Sequence, residues 1–272
     1  MRYDLKEILE LGEAGGFAIP AFNVYNTETV MGVMEAAEET GAPVIFQMYS
    51  RLFDADLARF VAPAIMEAVD TMHVPAAFHL DHGAGVPQVL RALRYGATGV
   101  MIDASKEDLE KNIAITKSVV DMAKEMGVSV EGELGHVGFA KDGVSTDYTT
   151  VEDAAQFVEG TGVAALAVAV GTAHGHYKQA PVLALERIAE LHKALDTHLV
   201  LHGGSGVPDD QIRASIEAGI RKVNFGTDLC CAFLDTVRTV DPSIIGIDTF
   251  MKEPVKAVKA FAIEKIKLLG AD

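Results

Sequence analysis

Cysteine is nearly absent from this chain of 272 residues, and the only two thiols, Cys230 and Cys231, are neighbours. Adjacent cysteines cannot link distant segments, so no disulfide framework is expected, which is typical of proteins in a reducing cytoplasm. Residues 1–7 lack the apolar run of a secretory signal. No run of about 18 uncharged apolar residues predicts a membrane span. These absences together predict a cytoplasmic protein.

Basic residues are also few: 23 Lys and Arg stand against 39 Asp and Glu, for a net charge of -16. This excess of negative charge argues against nucleic acid or an anionic membrane as a partner. It does not exclude a small phosphorylated substrate, because glycine loops and helix N-termini bind phosphate through local backbone N–H groups.

Short apolar runs alternate with helical patterns along the whole chain, without a short-period repeat or a low-complexity tract. Strands are predicted at residues 17–22, 44–47, 76–83, 98–102, 129–132, 163–170, 199–201 and 220–224. Helices are predicted at 27–40, within 54–72, and at 86–94, 106–126, 150–159, 182–193, 208–218, 227–238 and 254–269, with Thr27 as an N-cap. The alternation indicates a parallel sheet. Eight such units favour a single (β/α)8 TIM barrel over residues 1–272, with an additional C-terminal helix, rather than an open doubly wound sheet.

Three of the predicted strands end in a histidine beside a glycine. His82, His174 and His202 follow the third, sixth and seventh strands. Because active sites in such barrels lie at the C-terminal ends of the strands, closure of the barrel is expected to bring these rings together. Three imidazoles with a fourth position left open suit a catalytic zinc ion.

Each of these histidines could instead be an ordinary core or loop residue. That interpretation is preferred for three others: His73, His192 and His198. His79 is expected either to lie in the core or to hydrogen-bond to a metal ligand without binding the metal itself. The roles of His136 and His176 are left open.

Carboxylates accompany the histidines at two strand ends. Asp81 directly precedes His82, and adjacent strand residues point in different directions, so Asp81 is expected not to share the metal. It is a candidate general acid/base facing the substrate, or alternatively a support for a histidine ligand. Glu133 follows the fifth strand. The polar, glycine-rich segment 135–149 is long enough to be an active-site lid.

A candidate phosphate site follows the seventh strand, where Gly203, Gly204, Ser205 and Gly206 precede Pro208 at a helix start. Glycines permit close backbone approach and the helix N-terminus is positive, although the segment could be only a turn. Lys178 could add a charge to the same phosphate. The segment 224–227, from Asn224 to Thr227, repeats the pattern at the eighth strand, and barrels commonly bind phosphate at strands seven and eight.

At these residues the chain resembles the class II, metal-dependent ketose-bisphosphate aldolases, which include the fructose- and tagatose-bisphosphate enzymes. The resemblance covers nearly the whole chain. It is carried by segments 79–82 (HLDH), 101–105 (MIDAS), 130–135 (VEGELG), 171–175 (GTAHG), 201–206 (LHGGSG) and 222–224 (KVN).

The resemblance implies a (β/α)8 barrel that binds one Zn²⁺ per chain through His82, His174 and His202. It implies that Asp81 transfers the proton and that Glu133 is an additional metal contact or a polar support. Dihydroxyacetone phosphate would be held by Gly175, Gly203, Ser205, Asn224 and Thr227, with a monovalent cation such as Na⁺ or K⁺ nearby. A homodimer or homotetramer is expected.

The reaction that the resemblance implies is the reversible cleavage of a ketose 1-phosphate or ketose bisphosphate to dihydroxyacetone phosphate and an aldehyde. Zinc would act as a Lewis acid on the carbonyl and then stabilise the enediolate. Asp81 would take the C4 hydroxyl proton, and the loop after Glu133 would close over the substrate. A metal-independent phosphosugar isomerase or epimerase, and a non-catalytic accessory subunit of an aldolase, are the alternatives.

Two departures from the family concern the far end of the substrate. Tyr49 stands where the family has a serine after the second strand. The arginines of the family's C-terminal Asp-Pro-Arg segment are missing here. Residues 241–243 read Asp-Pro-Ser, the segment at Asp248 contains no arginine, and only Lys252 offers a comparable charge. These departures predict that fructose 1,6-bisphosphate is not the best substrate, unless Arg51 takes over the missing contact.

Overall fold

The fold is a closed barrel of eight parallel strands, seen in a computed structural model that describes residues 1–140, 148–175, 177 and 179–272. Each strand pairs with the next, and the eighth pairs with the first. The strands are β1 (Ile19–Asn23), β2 (Val44–Tyr49), β3 (Ala76–Gly83), β4 (Gly99–Ile102), β5 (Ser129–Leu134), β6 (Ala165–Val168), β7 (His198–Leu201) and β8 (Ile220–Phe225). The prediction of a (β/α)8 barrel is confirmed.

Helices surround this barrel. They are α1 (Leu5–Gly15), α2 (Thr27–Thr40), α3 (Arg51–Asp54), α4 (Ala58–Thr71), α5 (Val86–Arg94), α6 (Leu109–Lys124), α7 (Val151–Thr161), α8 (Leu185–Ala194), α9 (Asp209–Ala218), α10 (Thr227–Thr239), α11 (Ile247–Phe250) and α12 (Lys252–Leu269). The predicted C-terminal helix is α12. It packs closely on α2, because a Cβ atom at Gly32 would lie only 2.7 Å from the side chain of Val258.

Most boundary differences have a local hydrogen-bonding reason. Helix α2 is capped by Asn26, whose side chain accepts the Thr29 backbone N–H, so Thr27 is the first helical residue and not the N-cap as predicted. Helix α6 begins at Leu109 because Asp108 is its cap, and residue 106, predicted as helical, stays in the preceding loop. Strand β6 is shorter than predicted.

Two strands, β2 and β5, run two residues further than predicted. Strand β2 continues to Tyr49, which pairs with Asp81 of β3. Strand β5 continues to Leu134, so Glu133 lies within the strand and not beyond its end. Strand β5 therefore holds Glu133 at a fixed position beside β6.

Helix α1 was not predicted, although the sequence carries its signal. Asp4 accepts the Glu7 backbone N–H while the Glu7 carboxylate accepts the Asp4 backbone N–H, which is a capping box. The helix buries Leu5, Ile8 and Leu9 against small inward-facing strand residues at the N-terminal end of the barrel. Burial of each such side chain contributes roughly 1.5–3 kcal/mol. The barrel interior is therefore plugged with apolar side chains at this end.

Within the described part of the chain, no helix combines the length and the apolar character needed to cross a bilayer.

Candidate active site

Strand β3 ends in a bulge that changes where its last side chains point. The register with β4 shifts between Leu80 and Gly83, and His82 is the one non-glycine residue of the described chain with a positive φ, 50°. The backbone turns tightly here, since a Cβ atom at Gly83 would lie 2.4 Å from the Met101 carbonyl oxygen. As a result Asp81 Oδ1 lies 4.0 Å from His82 Nε2. The two adjacent side chains thus lie close together, and Asp81 belongs to neither group of candidate metal ligands among the described residues.

The structure brings the three predicted histidines together. The centre of the His82 ring lies 4.8 Å from that of the His174 ring and 4.6 Å from that of the His202 ring. One nitrogen of each ring lies within 4.8 Å of one nitrogen of each of the other two. Each of these three rings has one buried nitrogen without a hydrogen-bond partner among the described residues: His82 Nε2, His174 Nε2 and His202 Nδ1. A buried polar atom left without a partner costs about 1–3 kcal/mol. Three such atoms at one place fit a divalent metal such as zinc, which imidazole binds readily.

Carboxylates orient two of these rings. His82 Nδ1 lies 3.0 Å from Asp103 Oδ2, and His202 Nε2 lies 2.8 Å from Glu131 Oε1. Each contact uses one ring nitrogen and leaves the other facing the centre, as is common for histidines that bind metals. Asp103 and Glu131 were quoted in sequence motifs, but no role was predicted for them.

The pKa values of the rings differ with their surroundings. Burial alone would lower the pKa of His202, but the neighbouring carboxylates of Glu131 and Glu133 outweigh it and raise this pKa to about 10. Burial, reinforced by the nearby charge of His82, lowers the pKa of His174 to about 3. His174 is therefore neutral at pH 7, as a metal ligand must be.

Glu133 lies beside the same centre. Its Oε1 accepts the Val137 backbone N–H at 3.0 Å, while Oε2 has no hydrogen-bond partner and lies 3.3 Å from His202 Nδ1. His82, Asp103 and Glu133 form a second group whose candidate ligand atoms lie within 4.8 Å of one another. The predicted role of Glu133 as a metal contact or polar support remains a prediction.

Asp81 is held by two amides. Asn23 Nδ2 donates to Oδ2 at 2.7 Å and Asn224 Nδ2 donates to Oδ1 at 3.3 Å. Burial alone would raise the pKa of Asp81, but the positive charges of His82 and His202 outweigh it and lower this pKa. Asp81 is therefore an ionised carboxylate with a fixed orientation. Asn23 was not predicted as a site residue, although it ends β1 as the other polar residues end their strands.

A buried ion pair links this carboxylate to the histidines. Lys222 Nζ lies 2.9 Å from Glu131 Oε2 and donates to Asn224 Oδ1 at 2.7 Å, and both Lys222 and Glu131 are fully buried. The contacts run from His202 through Glu131, Lys222 and Asn224 to Asp81. The sequence shows acids in β5 and bases in β8 within otherwise largely apolar strands, but not which of them pair.

The loops after β7 and β8 form a cradle. Gly203 has φ 66°, and a Cβ atom there would lie 2.4 Å from the Ala173 carbonyl oxygen, so no larger residue fits. Ser205 Oγ accepts the Asp228 backbone N–H at 3.2 Å, which ties the loop to the first turn of α10. Helix α10 begins at Thr227, and Gly226 provides no side-chain cap, so the first N–H groups other than that of Asp228 are available to an anion.

The predicted phosphate residues do not all reach this cradle. Four of them line one pocket with Gly175: Gly203, Ser205, Asn224 and Thr227. Gly204 does not line it, because its N–H donates to the Asn224 carbonyl oxygen and its Cα faces Val223. The predicted contact of Gly204 with phosphate remains a prediction. Lys178, His176 and residues 141–147 of the predicted lid lie outside the described residues.

The pocket has a volume of about 280 Å³ and joins the cradle to the histidines and Asp81. Tyr25, Tyr49, Arg51, Lys106 and His136 line its remaining sides. Lys252 and residues 241–243 do not line it. The other histidines lie elsewhere: His73 lies near Glu38, His192 and His198 near Glu13, and His79 inside the barrel 3.3 Å from Glu131.

The family model described as fructose-bisphosphate aldolase, class II, matches residues 3–272. The chain is similar to the YdjI aldolase from Escherichia coli K12, with 36% identity and a TM-score of 0.91 over 100% of this chain and 98% of that one. A Coccidioides immitis protein, provisionally described as a fructose-1,6-bisphosphate aldolase, shares 27% identity, with a TM-score of 0.89 over 97% and 95%.

The fructose-bisphosphate aldolase from Campylobacter jejuni, at 24% identity, has the same fold, with a TM-score of 0.81 over 99% of this chain and 96% of that one. The family match, the likeness at 36% identity and the barrel agree with one another. This chain belongs to the class II fructose-bisphosphate aldolase family and is an aldolase.

Proposed function

We propose that the protein is a zinc-dependent aldehyde-lyase that reversibly cleaves a ketose 1-phosphate or ketose bisphosphate. The products are dihydroxyacetone phosphate and an aldehyde. The observation that carries this proposal is the convergence of three buried imidazole nitrogens without hydrogen-bond partners, beside an ionised carboxylate and a glycine-lined cradle.

The metal is proposed to be held by His82, His174 and His202. Bound there, a divalent ion supplies a Lewis acid that polarises the ketose carbonyl and accepts negative charge as the C3–C4 bond breaks. Other residues position these ligands: Asp103 orients the ring of His82, Glu131 orients the ring of His202, and burial keeps His174 neutral.

Asp81 is proposed to move the proton. In cleavage its carboxylate takes the proton of the C4 hydroxyl, and in condensation it returns that proton to the aldehyde oxygen. The lowered pKa keeps this group ionised and ready to accept. The amides of Asn23 and Asn224 fix its two oxygens, so the carboxylate does not have to reorient when substrate binds.

The phosphate of the dihydroxyacetone half is proposed to lie in the cradle formed by Gly175, Gly203, Ser205 and the first turn of α10. Backbone N–H groups and the positive end of that helix suit a dianion in an otherwise acidic chain. Asn224 lines the same wall and also holds Asp81, so the bound substrate and the proton acceptor share one support.

A metal-independent isomerase or epimerase is less well supported, because it would leave the three imidazole nitrogens buried without a use. A non-catalytic accessory subunit is disfavoured because Asp81 and all three histidines are in place.

Release of dihydroxyacetone phosphate from a panel of ketose monophosphates and bisphosphates, with and without a chelator, tests the proposal. We expect release that the chelator abolishes and added zinc restores. Interconversion of ketose and aldose without cleavage, unaffected by the chelator, would instead support the isomerase. Lys252 and residues 241–243 do not line the pocket, so fructose 1,6-bisphosphate is not expected to be the best member of the panel unless Arg51 replaces the missing distal contact.

A further inference from the structure

Arg51 lies at the rim of the pocket, at the start of α3 and just past β2. Its guanidinium carbon is 5.1 Å from the ring centre of Tyr49 and 5.6 Å from that of Tyr25. Acidic residues outnumber basic ones in this chain, and Arg91 and Arg221, for example, pair with carboxylates. For Arg51 the described residues supply no carboxylate within ion-pair distance. Within this described part of the chain, the charge of Arg51 therefore lines the pocket without a counter-ion.

The two tyrosines orient this guanidinium without neutralising it. Cation–π contact holds an arginine against the ring faces and leaves its N–H edge free. Burial raises the pKa of Tyr25 and of Tyr49, so both phenols stay neutral at physiological pH. Tyr49, which departs from the family's serine, thus has a structural use here.

The barrel order places Arg51 opposite the phosphate cradle. The cradle is built from the loops after β6, β7 and β8, whereas Arg51 follows β2 and Lys106 follows β4. In a closed ring of eight strands β3 is opposite β7. A ketose whose 1-phosphate lies in the cradle, with its carbonyl at the histidines, therefore extends its far end toward Arg51 and Lys106.

We propose that Arg51, assisted by Lys106, is the residue that determines specificity for an anionic group, a carboxylate or a phosphate, at the far end of the substrate. Arginine binds either group through two parallel N–H···O bonds. This proposal rests on the proposed function, because it takes the 1-phosphate to lie in the cradle. The substrate class that follows is a ketose 1-phosphate with a second anionic group at its far end.

Three ketose 1-phosphates that differ only at the far end, in a hydroxymethyl, a carboxylate or a phosphate group, test the proposal. In Arg51→Met, kcat/KM for the two anionic substrates should fall roughly 10- to 100-fold, the range for a hydrogen bond to a charged group. The loss should appear mainly in KM, and the neutral substrate should change less than about twofold. Arg51→Lys should recover part of the loss, because it keeps the charge without the paired N–H groups.

Arg59→Met is the matched control, since Arg59 also lies over an aromatic ring, that of Phe60, but outside the pocket. It should leave all three substrates unchanged. The ratio of the wild-type kcat/KM values for the carboxylate and the phosphate identifies which anion the site takes. Equal losses on all three substrates, or no loss on any, would overturn the proposal.

Binding separates this proposal from the proposed function. Analogues reduced at C2 cannot be cleaved, and calorimetry on the zinc-loaded protein measures their Kd directly. Arg51→Met should weaken the anionic analogues roughly 10- to 100-fold and leave the neutral one unchanged. If the protein cleaves nothing but shows this difference, the proposed function fails and the role of Arg51 stands. If the analogues bind Arg51→Met and wild type equally, the role of Arg51 is wrong.

Discussion

Both ends of the barrel gather histidines and acids, but only one end has the features of an active site. At the N-terminal end, Glu13 of α1 lies 2.9 Å from Arg221 Nε, 3.6 Å from His192 and 3.8 Å from His198. At the C-terminal end, His82, His174 and His202 converge beside Glu131 and Glu133. Judged by their residue types alone, these two clusters look alike.

Exposure separates them. The Glu13 side chain is 40% exposed and that of His192 34%, so water reaches both and screens their charges. By contrast, Glu131, Lys222 and His202 are fully buried, with an exposure of 0% each. Ions without water have to be neutralised by the protein, and polar atoms that the protein leaves unpaired there point to a missing ligand. Buried polar atoms without hydrogen-bond partners, as on His82, His174 and His202, therefore mark the functional end more clearly than charge does.

The largest difference between the two ends should appear on removing one histidine from each. His202→Ala should lose the bound metal together with a Lewis-acid contribution of several kcal/mol, for a loss of activity of roughly 10³-fold or more. His198→Ala should keep both. Metal analysis after gel filtration and assays of dihydroxyacetone phosphate release check this, with circular dichroism to confirm the fold. Full metal content in His202→Ala would contradict the ligand assignment.

The buried and exposed ion pairs should differ next most in stability. Lys222→Met leaves the buried Glu131 charged and without its lysine counter-ion, which should lower the free energy of unfolding by roughly 3–5 kcal/mol. Urea unfolding of the metal-free protein measures the loss. The double variant Lys222→Met/Glu131→Gln should recover part of it, because the stranded charge is gone. An unchanged unfolding midpoint in Lys222→Met would show that the pair has no such role.

Asp81→Ala separates proton transfer from metal binding at the C-terminal end. Metal content and the Kd for dihydroxyacetone phosphate should stay near wild type, while kcat for cleavage falls roughly 10²-fold or more, the usual contribution of a general acid/base. Metal analysis, calorimetry and steady-state kinetics provide the three readouts. Near-normal turnover would mean that another group carries the proton, with Glu133 the next candidate.

The smallest effect is expected at Glu13. Glu13→Gln removes the charge shared by Arg221 and the two nearby histidines, but partial exposure limits the loss of stability to about 1 kcal/mol or less. Activity should be unchanged, since Glu13 lies at the opposite end from the pocket. A loss of stability as large as that of Lys222→Met would remove the distinction between the two ends.

The sequence predicted the barrel and the grouping of His82, His174 and His202 because strand ends of a closed parallel barrel meet at one rim. It did not reveal how the adjacent residues Asp81 and His82 both reach the pocket, since that depends on a bulge and a positive φ at one residue. The pairing of Glu131 with Lys222 depends on inter-strand register, which a single sequence does not provide.

Gly204 makes a backbone hydrogen bond that the sequence does not reveal. Its N–H group looks free in the sequence, yet the structure commits it to the Asn224 carbonyl oxygen. Helix α1 was missed for a lesser reason, because its capping box at Asp4 and Glu7 was visible in the sequence.

Titration of the metal-free protein with zinc tests the central claim most directly. Release of dihydroxyacetone phosphate from the best ketose phosphate and bound zinc are measured on the same samples. Activity should be absent without metal and rise in proportion to occupancy, reaching its maximum at about one zinc per chain, the stoichiometry of a single three-histidine site. Full activity in the metal-free, chelator-treated protein would contradict the account.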